Sequence, residues 1–308
     1  PTGILRQLAM STSGRTSVAA SASAETFALE LETAVAAATA AGEAIHDLYV
    51  RAAATTYTKT DGSPVTDADL ASDRIVRDAL WARFPDDPVL TEEGTDNTDR
   101  LASSRCWIVD PLDGTNQFVE RTGEFDVLIA LVVNGRPVLG VSFHPPTGLI
   151  CAGVVGQGAW LQRGEDRQDA RLAPVPEGAA PRLATSVWFG APATVPALTR
   201  VGDAIGSSRP ETLLVGFPPR LMLLPNRRFD AYLGLPTAQL SDMGWGWDFA
   251  AADAIVHAAG GVFTDASGHP HLYNKPRLRN TGGLIAASDP PTHALLVAAL
   301  ASELPTPG

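Results

Sequence analysis

Asp110-Pro111-Leu112-Asp113-Gly114-Thr115 sets two carboxylates three residues apart, directly after the apolar run Trp107-Ile108-Val109. A strand ending there presents two hard oxygen ligands to a divalent cation. A helix beginning just after it, at Gly114 and Thr115, aims free backbone N–H groups at a phosphate. The combination is suited to metal-assisted phosphate chemistry. Three more acidic clusters fall at the ends of predicted elements: Asp67/Asp69, Glu92/Glu93 and Asp248. Each has a plainer reading. Asp67 and Asp69 suit the first turn of a helix, worth about 0.3–1 kcal/mol. Glu92-Glu93 before Gly94 suits a solvated turn, and Asp248 suits a helix N-cap. Asp110 is harder to explain away, because it closes an apolar strand whose burial makes an unpaired charge costly. Taken together, the four clusters suggest convergence on a cation.

Other chemistries find less support. The six His residues form no HExxH pair, and His269 and His271 fall in a turn-like segment that reads as solvated loop. There is no Gly-x-Ser-x-Gly elbow and no Walker loop. Gly153–Gly158 reads as a hairpin turn, Arg227-Arg228 as a solvated surface pair, and Trp245 and Trp247 as packing against the following helix. A chain of 308 residues with 45% apolar and 19% charged residues reads as globular. Its net charge of −11 argues against non-specific binding to nucleic acid or an anionic membrane. It also means that phosphate needs a local source of positive charge. Cys106 and Cys151 match no metal-binding spacing and suggest a reducing, cytoplasmic setting. No apolar run reaches the ~18 residues of a membrane span. Residues 1–24 read as a flexible arm. Met10 is the expected native start, with residues 1–9 foreign to it, which the intact mass of the native protein would check.

These groups must be positioned by a mixture of helices and hairpins. Helical spacing covers about 25–53, and Thr66 is placed to cap a second helix over 67–83. Residues 54–65 read as a turn between them. Strands are predicted at 89–91, 106–110, 126–133, 137–144, 149–154, 158–162, 211–216, 262–264 and 283–287, with a hairpin turn at Asn134-Gly135. Helices are predicted over 248–259, ended by Gly260-Gly261, and over 291–302. The polar stretch 163–180 reads as a boundary between a metal-binding α+β unit (25–175) and an α/β unit (176–308) that completes the site. The mixture predicts a layered α/β or α+β fold.

Four segments, in order, resemble the blocks of the lithium-sensitive, magnesium-dependent phosphatase superfamily of inositol monophosphatase. They are Lys59–Asp69, Thr91-Glu92-Glu93-Gly94, Trp107–Thr115, and Trp247–Ala252 continuing to Gly260-Gly261. The resemblance runs from about residue 28 to 290 and implies a five-layer αβαβα sugar-phosphatase-like fold. It further implies a phosphoric monoester hydrolase in which Glu92, Asp110, the Leu112 carbonyl, Asp113, Asp248 and Asp69 hold two or three Mg²⁺ ions. Gly114 and Thr115 would bind the phosphate. Thr115, paired with Asp69 or Glu92, would orient and deprotonate the attacking, metal-activated water. Millimolar Li⁺ is expected to inhibit, and many relatives are dimers, so a homodimer is one expectation. Gly123–Leu131 and Tyr273–Asn280 resemble the 3′(2′),5′-bisphosphate nucleotidase branch. The atypical segments 184–189 and 216–221 leave room for an apolar or aromatic group beside a single phosphate. The first expectation is therefore a nucleotide substrate, either a nucleoside monophosphate or a 3′,5′-bisphosphate. Inositol, sugar or histidinol phosphates come second, and a catalytically silent ligand-binding homologue third.

Overall fold

The computed structural model describes residues 26–303 except 61, 97, 188–193, 214–216 and 236–241. Helix α1 (Ala28–Arg51) packs beside helix α2 (Asp67–Arg83), with the short hairpin β1 (Thr56–Thr58) and β2 (Pro64–Thr66) between them in sequence. The segment 54–65, expected as a turn, is a turn only at its tip, because its ends pair as antiparallel strands. On α1 the buried residues Ala34, Ala37, Ala38, Ala41 and Ile45 follow helical spacing, and their small side chains let the helix lie close to the sheet. Thr66 caps α2 as expected. Its Oγ1 accepts from the Ala68 N–H, and Asp69 accepts from the Thr66 N–H in return.

A seven-stranded sheet follows in the order β3 (Val89–Thr91), β4 (Arg105–Asp113), β5 (Asp126–Val133), β6 (Arg136–His144), β7 (Leu149–Val154), β8 (Gly158–Arg163) and β9 (Asp166–Ala170). Only the β3–β4 pair is parallel. The short helix α3 (Thr115–Val119) lies between β4 and β5. Asn134 (φ 51°) and Gly135 (φ 76°) turn β5 into β6 with the two positive φ values of a type I′ hairpin. Strand β9 falls inside the polar stretch 163–180. Its exposed polar residues, Asp166 to Asp169, conceal it from an apolar pattern, and suit an edge strand.

The second half of the described chain runs β10 (Leu183–Ser186), α4 (Val195–Ala204), β11 (Glu211–Leu213), α5 (Pro218–Leu223), β12 (Ala231–Gly234), β13 (Asp242–Trp245), α6 (Gly246–Ala258), β14 (Val262–Thr264), β15 (Arg279–Thr281), β16 (Leu284–Ala287) and α7 (Pro290–Leu300). Five of these strands form a mixed sheet in the order β11-β10-β12-β16-β14. Three apolar clusters fix the layering. The first joins α1 and α2 to one face of the large sheet. The second joins its other face to α5, α6 and the smaller sheet. The third joins the far side of the smaller sheet to α4 and α7. The result is helix–sheet–helix–sheet–helix, the five layers expected. Helix α6 is the buried middle layer: ten of its thirteen residues are buried, so it has no solvent face. Glycine makes room for it. A Cβ on Gly140 of β6 would lie 2.4 Å from the Ala251 carbonyl oxygen, and one on Gly153 of β7 would lie 2.6 Å from the Ala258 Cβ.

Candidate active site

The acidic residues meet because of how β4 ends. Asp110 pairs with Leu128 and Asp113 with Asp126, so three steps on β4 oppose two on β5. In a regular strand, residues i and i+3 face opposite ways. The one extra residue of this bulge turns both carboxylates toward one cavity. Parallel pairing sets Thr91 of β3 beside Val109, and the Glu92 N–H donates to the Val109 carbonyl (3.2 Å), which brings Glu92 level with Asp110. Gly114 follows at φ 93°, and a Cβ there would lie 2.7 Å from the Glu124 carbonyl oxygen, so only glycine fits. From the other half of the molecule, α6 delivers Asp248. It is not the N-cap but the third helical residue, and its Oδ2 accepts from the Trp245 N–H at 2.6 Å.

The cavity these groups share is about 380 Å³. Its polar lining includes Glu92, Asp110, Asp113, Thr115 and Asp248, with the backbone of Leu112 and Gly114. Its aromatic and apolar lining includes Phe217, Pro218, Pro219, Tyr232, Trp245, Phe249 and Phe263. Asp69 stands behind Thr115 rather than in the lining: Thr115 Oγ1 donates to Asp69 Oδ1 (3.0 Å) and lies 3.3 Å from the Leu112 carbonyl. The pairing of Thr115 is therefore with Asp69. Lys59 donates to both Glu92 (2.7 Å) and Glu93 (2.6 Å), so the Glu pair is held by a cation rather than solvated in a turn.

This concentration of acid is electrostatically unfavourable by itself. Burial and the neighbouring Glu92, Asp113, Asp248 and Asp69 push Asp110 well above the carboxylate range. Burial, Asp248, Asp126 and Glu92 do the same to Asp113. Burial lifts Asp248 to about 7, against the hydrogen bond from Trp245, with Glu92 adding to the rise. Glu93 is raised to about 7, chiefly by burial. Asp113 Oδ2 is buried with no hydrogen-bond partner. Among the described residues, no three acidic, His or Cys side chains converge on one point at ligand spacing. Mutual repulsion of uncompensated carboxylates acts in that direction. The donor chemistry nonetheless fits a hard divalent cation: all-oxygen donors, an orphaned carboxylate oxygen and charge in excess. A stability signature follows. Carboxylates whose folded pKa lies above the unfolded value stabilise the fold fully below pH ~4, and that contribution is lost as pH rises toward 7. In chelator, Tm is therefore expected to be lower at pH 8 than at pH 5, by roughly 5 °C, and Mg²⁺ at pH 8 should recover the difference. A Tm in chelator that rises over this range would contradict the assignment.

Several sequence readings change here. Trp245 lines the cavity, stacked on Trp247 (4.9 Å between centroids, 12° between planes) with the Arg279 guanidinium 4.1 Å over its ring. The pairing of β13 with β15 sets Trp245 opposite Arg279. Trp247 itself is buried, as expected. His271 is 5% exposed and packs against Phe249 and Phe263, whereas His269 is exposed. Arg227 is tied to Asp230 (3.1 Å) and to the Ala173 carbonyl rather than solvated. Both cysteines are buried free thiols, their pKa values raised by burial. Residues 1–24, with Met10, lie outside the described residues. So do 188–193 and 214–216, which include parts of the two atypical segments.

The inositol monophosphatase family model matches residues 29–304. The chain belongs to the inositol monophosphatase family. It is 32% identical over 236 residues to the 3′(2′),5′-bisphosphate nucleotidase CysQ of Escherichia coli O157:H7, covering 76% of this chain and 89% of that one. The crystal structure of CysQ from Bacteroides thetaiotaomicron superposes with a TM-score of 0.67 at 29% identity, covering 86% of this chain and 99% of that one. The fold is shared with the SuhB protein of Bartonella henselae, at a TM-score of 0.70 and 22% identity over 90% of this chain and 100% of that one. Family membership makes the chain a phosphoric monoester hydrolase acting on phosphate esters. Members are generally Mg²⁺-dependent. Among the described residues, no helix is long and apolar enough to cross a membrane.

Proposed function

We propose that the protein is a Mg²⁺-dependent nucleotidase. The observation that carries this reading is the mixed lining of the cavity, in which carboxylates and aromatic rings share one pocket. Glu92, Asp110, the Leu112 carbonyl, Asp113 and Asp248 would hold the metal ions, with Asp69 near a further one. A bound divalent cation supplies Lewis acidity, neutralising phosphoryl charge and acidifying water. The chain supplies the rest. The backbone N–H groups of Gly114 and Thr115 bind phosphoryl oxygens. Thr115 Oγ1 takes a proton from the attacking water while passing its own to Asp69 Oδ1, and the raised pKa of Asp69, due first to burial, suits it to receive one.

The aromatic lining supports a flat leaving group, which a nucleoside provides and an inositol ring does not. The deciding experiment is phosphate release with Mg²⁺ from nucleoside monophosphates, 3′,5′-bisphosphates, inositol phosphates, histidinol phosphate and fructose bisphosphate. Nucleotides are expected to give the highest kcat/KM, and a clear preference for inositol 1-phosphate would overturn the reading.

A further inference from the structure

Segment 216–221 stands where sequence comparison would look for a group that reads the leaving group. Its members divide. Phe217, Pro218 and Pro219 line the cavity, whereas Arg220 turns into the protein and is 5% exposed. Arg220 Nη2 donates to Glu124 Oε2 (2.7 Å) and lies 3.8 Å from Asp126 Oδ2. Asp126 is fully buried and accepts from Ser142 Oγ at 2.9 Å through its other oxygen. The residues gripped by Arg220 are those that shape the carboxylate lining. Asp126 is the β5 residue paired with Asp113, at the far side of the bulge. Glu124 presents the carbonyl oxygen that would meet a Cβ on Gly114.

We propose that Arg220 is a positioning residue: the bridge from its buried guanidinium to Glu124 and Asp126 fastens α5, with the lining residues Phe217, Pro218 and Pro219, to the strand end that aims Asp113 and Gly114. The proposal rests on the metal-site reading above. Helix α5 and the strand end β4–β5 are far apart in sequence and meet across the apolar cluster that joins the large sheet to α5 and α6. Both contacts are made by one guanidinium nitrogen, Nη2, and a guanidinium, unlike a lysine ammonium, keeps its charge when buried. Breaking the bridge leaves Asp126 buried and uncompensated beside Asp113, and a shift of about 1 Å at a reacting centre costs about 10²-fold in rate.

The test uses Arg220→Met, Arg220→Lys and Glu124→Ala in the full chain. Turnover of the best substrate in the panel is read well below Tm, and Mn²⁺ affinity is read by electron paramagnetic resonance. Arg220→Met is expected to lower kcat about 100-fold with KM within about threefold. Glu124→Ala should lower kcat about tenfold, and Arg220→Lys should restore part of the loss. Mn²⁺ binding should weaken in Arg220→Met. Charge alone predicts the opposite, since removing a cation near carboxylates strengthens cation binding. Unchanged kcat with unchanged or tighter Mn²⁺ binding would overturn the proposal, even where Tm falls. If Arg220→Met does not fold, the same two readouts on Arg220→Lys and Glu124→Ala decide between these outcomes. A wild type that binds no Mn²⁺ and hydrolyses no ester of the panel would instead overturn the site reading itself.

Discussion

Asp110→Asn is expected to lower kcat by about 10³-fold and, in chelator at pH 8, to raise Tm. The two effects share one cause. Asp110 is 2% exposed, and its charge is opposed by burial and by four neighbouring carboxylates. An amide of the same shape removes that repulsion while keeping an oxygen to accept from the Leu112 N–H, now 3.1 Å from Oδ1. The fold therefore loses an unfavourable charge and keeps its local hydrogen bond. On the proposed metal site, catalysis loses an anionic ligand. Asp248→Asn should behave similarly, although its Oδ2 also accepts from the Trp245 N–H. Circular dichroism, Tm in chelator and kcat with Mg²⁺ separate the effects. Turnover within a few-fold of wild type in either variant would refute the metal assignment. A Tm that falls in chelator would refute the electrostatic account.

Gly140→Ala is the largest expected effect on stability. The added Cβ would sit 2.4 Å from a backbone oxygen of α6 and 3.0 Å from the Ala254 Cβ, and neither belongs to a flexible side chain. Overpacking of this kind costs about 3 kcal/mol, or roughly 6–12 °C in Tm for a chain of this order of size. Gly156→Ala is the control. It has open space around it and only the strain of φ 81°, a cost of about 1 kcal/mol. Equal Tm losses in the two variants would mean that close seating of α6 is not what Gly140 provides. Because α6 carries Asp248, Gly140→Ala should also weaken turnover in the fraction that remains folded.

The parts of the site legible in sequence are those fixed by local rules. Thr66 with Asp69 three residues on is a capping signal, and α2 begins where that signal puts it. Trp107-Ile108-Val109 announces a strand, although the strand's continuation to Asp113 depends on the bulge, which pairing with β5 creates. The remaining parts are tertiary. Helix α5 has six residues and strands β10 and β12 four each, too short to show a period. Arg220 looks like any arginine until Glu124 and Asp126, about ninety-five residues earlier in the chain, close on it. Trp245 reads as core because Trp247 is core. Only the β13–β15 pairing, which brings Arg279 over its ring, turns it toward the cavity.

The glycine-lined seat of α6 has a consequence for synthesis. All seven strands of the large sheet have been made by Ala170, but the helix that covers their inner face ends at Ala258, 88 residues later. At about 5–20 residues per second, that interval lasts roughly 4–18 s on the ribosome. Throughout it Leu128, Ala130, Val132 and Cys151, all buried in the finished core, face no partner. The nascent chain therefore carries an uncovered apolar sheet before its own plug arrives, and faster elongation or chaperone capture at this stage should raise the yield of folded protein.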